Sequence, residues 1–206
     1  GIALGAAMRG LRPIPEVEFA DFVWPTVNQL IGEAARTCYG TNGAVPVPLV
    51  VRIPYGGGIR GGLFHSQNVE THFFHTPGLK VVAPATPFDA KGMMISAIES
   101  NDPVVCLEHR WLYGIRDEVP PDYYRVPLDR ARVMRSGTDV TLIGVSYMTL
   151  ECLTAAEMLA GVGISAEVID LRSIRPLDLE TILDSVNRTG RLLTVDNGHV
   201  VGGISA

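Results

Sequence analysis

The sequence is poor in the features that mark several large classes of protein. Only three cysteines occur among its 206 residues, Cys38, Cys106 and Cys152. Their odd number and wide spacing argue against a disulfide framework or a CxxC site and predict a reducing compartment. No apolar run approaches the roughly 20 residues that span a bilayer, and no basic start with a cleavage pattern marks a signal peptide. The formal net charge is -5, and the basic residues form no stripe that would bind nucleic acid. We therefore expect a protein that is not secreted and binds neither membrane nor nucleic acid.

The composition and the order of apolar segments predict an α/β protein with two units. Apolar residues make up 47% of the chain and charged residues 19%, which is typical of a globular protein. Apolar strand-like runs alternate with helical patterns, as in parallel sheets. Residues 117–135 are rich in proline and tyrosine and lack a period, so we expect an interdomain linker there. The predicted strands are 16–22, 49–53, 79–84, 104–108, 139–143, 166–171 and 191–196. The predicted helices are 1–11, one that begins at Pro25, 68–74, 86–98, 149–160 and 177–186.

A glycine-rich stretch, residues 55–67, follows the strand predicted at 49–53 and ends in a polar cluster. Its glycines permit positive φ angles and a close approach of the backbone to a neighbour. His65 is the side chain there that can move a proton near neutral pH. The stretch fits neither GxGxxG nor GxxxxGK[ST]. A phosphate cradle and an ordinary turn with a surface histidine remain alternatives.

Three places lie at the carboxyl ends of predicted strands, where parallel sheets carry their reactive groups. They are residues 19–22, the loop up to His65, and residues 108–110. Phe22 is either a core residue or a platform for a flat ring, and the last place is either chemical or a loop that packs on the second unit. His72 and His75 have the spacing of metal ligands, but no third ligand accompanies them. No GxSxG elbow is present.

Five segments in one order carry a resemblance to a known family: residues 16–22, 55–67, 76–84, 89–92 and 168–178. The chain resembles the β subunit of thiamine-diphosphate-dependent 2-oxo acid dehydrogenases, of the branched-chain type, in the transketolase-like superfamily. The resemblance implies a parallel-sheet pyrimidine-binding domain at 1–116. It also implies the 117–135 linker and a partial transketolase C-terminal-like α/β domain at 136–206.

The resemblance also implies an activity and an assembly. The activity is oxidative decarboxylation of a branched-chain 2-oxo acid, with transfer of the acyl group to a lipoyl group. The implied partners are an α subunit in an α2β2 heterotetramer, a second β subunit and a lipoyl acyltransferase core. Thiamine diphosphate is shared with the α subunit, which holds Mg2+; the chain has no G-D-G with an asparagine cluster of its own. The implied location is the cytoplasm in a bacterium or the mitochondrial matrix in a eukaryote.

By motif position, His65 is the catalytic residue that this family implies, and Phe22 and Phe19 bind the cofactor. The implied substrate pocket consists of Glu18, Phe64, Ser66 and Gln67. Glu18 stands where close branched-chain relatives have glutamine, so a pyruvate or acetoin enzyme stays an alternative. A family site for a monovalent cation, expected to be K+, falls near Leu49, Val50, Ala97, Ser100 and Asp102.

One family residue has no counterpart in the sequence. The glutamate that activates thiamine lies just upstream of the position of Gly1, and Glu16 and Glu18 are poor substitutes for it. We therefore expect a truncated or partial β subunit, with a non-catalytic binding partner as the alternative. A Rossmann-type nucleotide binder is disfavoured because the glycine loop lacks that fingerprint.

Overall fold

A computed structural model describes all 206 residues of the chain. The helices are Ile2–Met8, Trp24–Val27, the π-helical Asn28–Ala34, Ala35–Gly40, Glu70–Phe74, Pro87–Glu99, Tyr147–Ala160 and Leu179–Thr189. Two 3-10 helices are Ala20–Phe22 and Arg110–Gly114. The strands are β1 (Val50–Tyr55), β2 (Lys80–Val82), β3 (Val104–His109), β4 (Arg132–Arg135), β5 (Val140–Gly144), β6 (Ala166–Asp170), β7 (Ser173–Arg175) and β8 (Leu192–Thr194). No helix is both long and apolar enough to cross a membrane.

The first sheet has the strand order β1-β3-β2-β7. Strands β1, β3 and β2 are parallel, and β1 and β3 are buried along almost their whole length. This confirms the expected parallel α/β layer, whose apolar strands are covered on both faces. Strand β7 pairs antiparallel with β2, although it comes from the second half of the chain.

The second sheet has the order β4-β6-β5-β8, with β4 antiparallel to β6 and the other pairs parallel. Residues 115–131, within and just before the expected linker, form no helix or strand, but Arg132–Arg135 is the edge strand β4. Val126 and Leu128 are buried against the helix Pro87–Glu99. The main apolar core runs without interruption from the first unit to Ile143, Ile169 and Ile174 of the second. The linker segment is therefore packed onto the first unit.

The strand predicted at 16–22 is wrong. Glu16 makes one parallel bridge to Arg52, and the chain then turns into the 3-10 helix Ala20–Phe22. Burial of Ala20 and Val23 draws this turn into the core, whereas Phe22 stays 44% exposed. The turn sets Phe22 at the surface beside the glycine-rich loop.

The start of the helix Pro87–Glu99 follows the predicted capping pattern. Thr86 has an extended backbone, its hydroxyl accepts a hydrogen bond from the Asp89 N–H at 3.1 Å, and Pro87 occupies the first turn. The other predicted helices and strands are present with shifted ends. The largest shifts are at the first helix, expected to end at residue 11, which ends at Met8, and at the last helix, expected to end at residue 186, which ends at Thr189.

Candidate functional site

The glycine-rich stretch forms a closed loop that returns on itself between Tyr55 and Asn68. The Gly56 N–H donates to the Gln67 carbonyl at 3.2 Å, and the Gly61 N–H donates to Oγ of Ser66 at 2.9 Å. A Cβ atom on Gly61 would lie 2.6 Å from Cβ of His65, so only glycine allows this approach. These N–H groups are used inside the loop. That use argues against the phosphate cradle and for a conformational role of the glycines.

His65 projects from this loop between two phenylalanine rings of the 19–22 turn. Its ring centroid lies 4.6 Å from that of Phe19 and 5.6 Å from that of Phe22, and both pairs are edge-to-face. His65 is half-buried, and Phe22 keeps an open face. The structure thus brings together two of the three places that the sequence singled out.

The other expected pocket residues differ in their exposure. Glu18 is exposed, and Phe64 is 63% exposed. Ser66 and Gln67 are half-buried, and both take part in closing the loop, Ser66 through its hydroxyl and Gln67 through its carbonyl. Their side-chain and main-chain bonds fix the backbone on both sides of His65.

The third place, residues 108–110, is built differently. Glu108 accepts two hydrogen bonds from the Arg52 guanidinium, at 2.6 and 2.8 Å, and one from the Tyr113 hydroxyl at 2.6 Å. His109 is buried and stacks on Tyr147 of the second unit, with ring centroids 5.0 Å apart. Burial lowers the pKa of His109 to about 4, so its imidazole is neutral at physiological pH. This segment packs on the second unit, which was one of the two alternatives.

The neck of the loop is held by side chains that the sequence did not single out. The Gly57 N–H donates to Oδ1 of Asn68 at 2.5 Å, and Nδ2 of Asn197 donates to the Gly57 carbonyl at 3.0 Å. Asn68 in turn donates to Oδ1 of Asn197 at 2.9 Å. Asn197 and Gly57 are 140 residues apart, and no sequence pattern links them.

A buried carboxyl group lies next to this neck. Glu70 is 2% exposed, its Oε1 accepts a hydrogen bond from Asn68 at 3.2 Å, and its Oε2 has no partner. Burial and, to a smaller extent, the nearby Asp196 carboxylate together raise the pKa of Glu70 to about 7.

Two protein cations lie among the residues expected to bind a monovalent cation. The Arg12 guanidinium donates to the Ile98 carbonyl at 2.6 Å and to the Ser100 carbonyl at 3.0 Å. The Lys80 ammonium lies 2.9 Å from the Asp102 carboxylate. The Leu49 carbonyl accepts from the Val104 N–H, and Val50 and Ala97 are buried in the core. No cluster of three or more metal-binding side chains is present.

The face formed by Phe22 and His65 suits a flat heteroaromatic cofactor. An apolar ring with an open face offers stacking, and the adjacent imidazole offers a proton donor and acceptor. Phe64 extends the apolar surface toward solvent. One side of this face is open to solvent.

Comparison with known proteins matches both halves of the chain. Residues 1–116 match the transketolase pyrimidine-binding domain, and residues 129–206 match the transketolase C-terminal domain. The chain is 48% identical, over 99% of its length, to the 2-oxoisovalerate dehydrogenase subunit beta of Bacillus subtilis (strain 168). It is 44% identical, over its full length, to a pyruvate dehydrogenase E1 component subunit beta of Staphylococcus epidermidis.

Two further proteins are similar to this chain. The chain is 45% identical, over 95% of its length and 58% of the relative, to the acetoin:2,6-dichlorophenolindophenol oxidoreductase subunit beta of Cupriavidus necator. Its fold matches a solved split gene transketolase, described as an inactive beta4 tetramer, with a TM-score of 0.80 and 27% identity over 99% of this chain and 63% of the other. The chain spans 63% of the length of the Bacillus relative and 64% of the Staphylococcus relative.

Proposed function

We propose that this chain serves as the β subunit of a 2-oxo acid dehydrogenase. The premise is its family: the chain belongs to the transketolase pyrimidine-binding family and continues into a transketolase C-terminal domain. The observation that carries the proposal is the half-buried His65 held edge-on by Phe19 and Phe22 at an open face. The names of the relatives support it, since three of them are β subunits of such enzymes or of an acetoin oxidoreductase.

In this proposal Phe22 and Phe19 form the cofactor-binding side of the site, and His65 is the catalytic residue. Thiamine diphosphate, when bound, supplies a carbon nucleophile for the substrate carbonyl. The exposed ring of Phe22 packs against a flat ring, and Phe19 supports the imidazole from behind. His65 transfers a proton at its imidazole nitrogen, because an imidazole ring can both donate and accept a proton.

The substrate side of the site consists of Glu18, Phe64, Ser66 and Gln67. Phe64 supplies apolar surface, and its exposure leaves room for a subunit that closes the pocket. Ser66 holds the loop backbone through Gly61 and so orients the neighbouring His65. Glu18 brings a negative charge to the rim of the pocket, which bears on the choice of substrate.

We take a branched-chain 2-oxo acid as the first substrate candidate, because the Bacillus relative is named a 2-oxoisovalerate dehydrogenase subunit. Pyruvate and acetoin are the second candidates, because relatives of similar identity carry those names. With a branched-chain 2-oxo acid or pyruvate as the substrate, the acyl group passes to a lipoyl group.

The proposed partners are an α subunit, a second β subunit and a lipoyl acyltransferase core, with Mg2+ held by the α subunit. The exposed side chains of Phe22, Phe64 and Leu63 beside His65 support a subunit contact at this face. A K+ site near Asp102 has weaker support, because two protein cations already bind oxygen atoms there. Arg12 donates to the Ser100 carbonyl, and Lys80 pairs with the Asp102 carboxylate.

The proposal is tested in the assembled α2β2 protein by lipoamide-dependent turnover of 3-methyl-2-oxobutanoate and pyruvate, and by reduction of 2,6-dichlorophenolindophenol with acetoin. We expect His65→Ala to lower kcat at least about 100-fold, the range of a lost general acid–base. His75→Ala is the matched control, because His75 is exposed at the end of the helix Glu70–Phe74, outside the site. Wild-type turnover, by His65→Ala, of the substrate that the wild-type protein uses would contradict the role given to His65.

A further inference from the structure

The neck of the glycine-rich loop is tied to the second unit by one side chain, Asn197. We propose that Asn197 is a positioning residue that holds this loop, and with it His65, in the reactive arrangement. The inference rests on the proposed function, because it assigns a role in the same site.

Asn197 uses both ends of its amide at the neck. Its Nδ2 donates to the Gly57 carbonyl at 3.0 Å and lies 3.0 Å from Nε2 of His109. Its Oδ1 accepts from Asn68, which itself accepts from the Gly57 N–H. Both main-chain polar groups of Gly57 are therefore held by asparagine side chains.

His109 forms the floor beneath this clamp. A Cβ atom on Gly56 would lie 2.3 Å from Nε2 of His109, and one on Gly57 would lie 2.7 Å from the Asn197 carbonyl oxygen. His109 itself is fixed between Tyr55 of the first unit and Tyr147 of the second. The two glycines thus allow the loop to lie directly on a rigid surface built by both units.

The clamp acts on His65 through the loop backbone. The Gly56–Gln67 bond closes the loop one residue from Gly57, and the Gly61–Ser66 bond closes its inner turn next to His65. Gly61 packs directly against the His65 backbone. Release of Gly57 at the neck therefore loosens the backbone that sets the distance from His65 to Phe22.

The placement of Asn197 makes the loop sensitive to the docking of the two units. Asn197 follows strand β8 and lies in a segment whose Gly198 N–H is bonded by Asp196 at 2.9 Å. This segment contacts the first unit again where Thr71 donates to the Gly202 carbonyl at 2.9 Å. A shift of the second unit therefore reaches the loop through Asn197.

The test uses Asn197→Ala in the full-length protein assembled with its α subunit. Asn187→Ala is the matched control, because Asn187 is an exposed asparagine of the same unit, on the helix Leu179–Thr189. Hydrogen exchange of residues 56–67 is measured first, because it does not depend on the reaction. We expect exchange to be about tenfold faster in Asn197→Ala, the effect of losing about one hydrogen bond, and unchanged in Asn187→Ala.

The second readout is steady-state kinetics with the 2-oxo acid. We expect kcat to fall about tenfold while KM changes less than about twofold, because the proton step and not substrate binding is disturbed. Asn68→Ala, which removes the partner of the Gly57 N–H, is a second variant that should show the same pattern.

Each outcome is decisive. Unchanged exchange in both variants overturns the clamp, and faster exchange with unchanged kcat overturns the link from the clamp to His65. A failure of the proposed function has a different signature, because His65→Ala would then stay active while the exchange results are unaffected.

Discussion

Replacement of Asp89 by asparagine tests how strongly buried charge ties the two units together. Oδ1 of Asp89 lies 2.5 Å from Nη2 of Arg172, the Asp89 side chain is fully buried and that of Arg172 is 10% exposed. Asp89 lies in the first turn of a first-unit helix, and Arg172 follows β6 in the second unit. The substitution keeps the size of the side chain and removes its charge.

The expected cost follows from the group left behind. Loss of one partner from a buried ion pair costs about 3–5 kcal/mol, because the other charge stays buried without compensation. Asp170 lies near Arg172 and accepts a hydrogen bond from its backbone N–H, so part of the charge stays balanced. We therefore expect the lower end, about 3 kcal/mol, and a fall in Tm of about 6–12 °C for a chain of this length.

Thermal and urea unfolding of the wild-type and Asp89→Asn proteins measure this cost. The matched control is Glu180→Gln, which removes one partner of the ion pair between Arg130 and Glu180. The side chain of Arg130 is 55% exposed and that of Glu180 is 73% exposed. A surface pair contributes at most about 1 kcal/mol, so this control should change Tm little. Equal, small effects of the two substitutions would refute the reasoning that the Asp89 pair links the units.

Two further predictions concern the loop and the buried acids. Gly56→Ala should destabilise the protein by about 1–3 kcal/mol, because the new Cβ would meet His109 and Gly56 has a φ of 133°. The matched control in thermal unfolding is Gly114→Ala, where a Cβ meets nothing within 4 Å. Equal Tm values for the two variants would contradict the steric argument. Burial raises the pKa of Asp170 to about 7, above its value in the unfolded chain, so its stabilising contribution is present at low pH and is lost as the pH rises through about 7. The free energy of unfolding of Asp170→Asn, relative to that of the wild type, should therefore rise by roughly 2–3 kcal/mol between pH 5 and pH 8. Urea unfolding measures this difference, and a difference that stays constant with pH would contradict the prediction.

Local signals predicted much of the fold. The run of apolar residues in β3 and the Thr86–Pro87 start of the following helix are visible in the sequence because burial and capping leave strong residue preferences. The glycine-rich stretch is visible in the sequence for a steric reason, because Gly61 approaches His65 so closely that a larger residue would clash. These features depend on neighbours in the chain.

Contacts between segments that are far apart in the chain could not be predicted from local sequence patterns. Strand β7 pairs with β2 of the first unit, and Asn197 meets Gly57 across 140 residues, without a pattern at either end. The turn Ala20–Phe22 replaced an expected strand because tertiary burial of Ala20 outweighed its extended, alternating pattern. The edge strand β4 was hidden in the expected linker because its first two residues, Arg132 and Val133, are exposed and give no apolar period.

The central claim is that the face formed by Phe22 and His65 receives thiamine diphosphate at a subunit boundary. The most direct measurement is an experimental structure of the protein assembled with the proposed α subunit in the presence of thiamine diphosphate and Mg2+. We predict that the aminopyrimidine ring lies against Phe22, with the His65 imidazole facing the reactive end of the cofactor. A cofactor bound away from this face, with Phe22 and His65 still exposed to solvent, would contradict the claim.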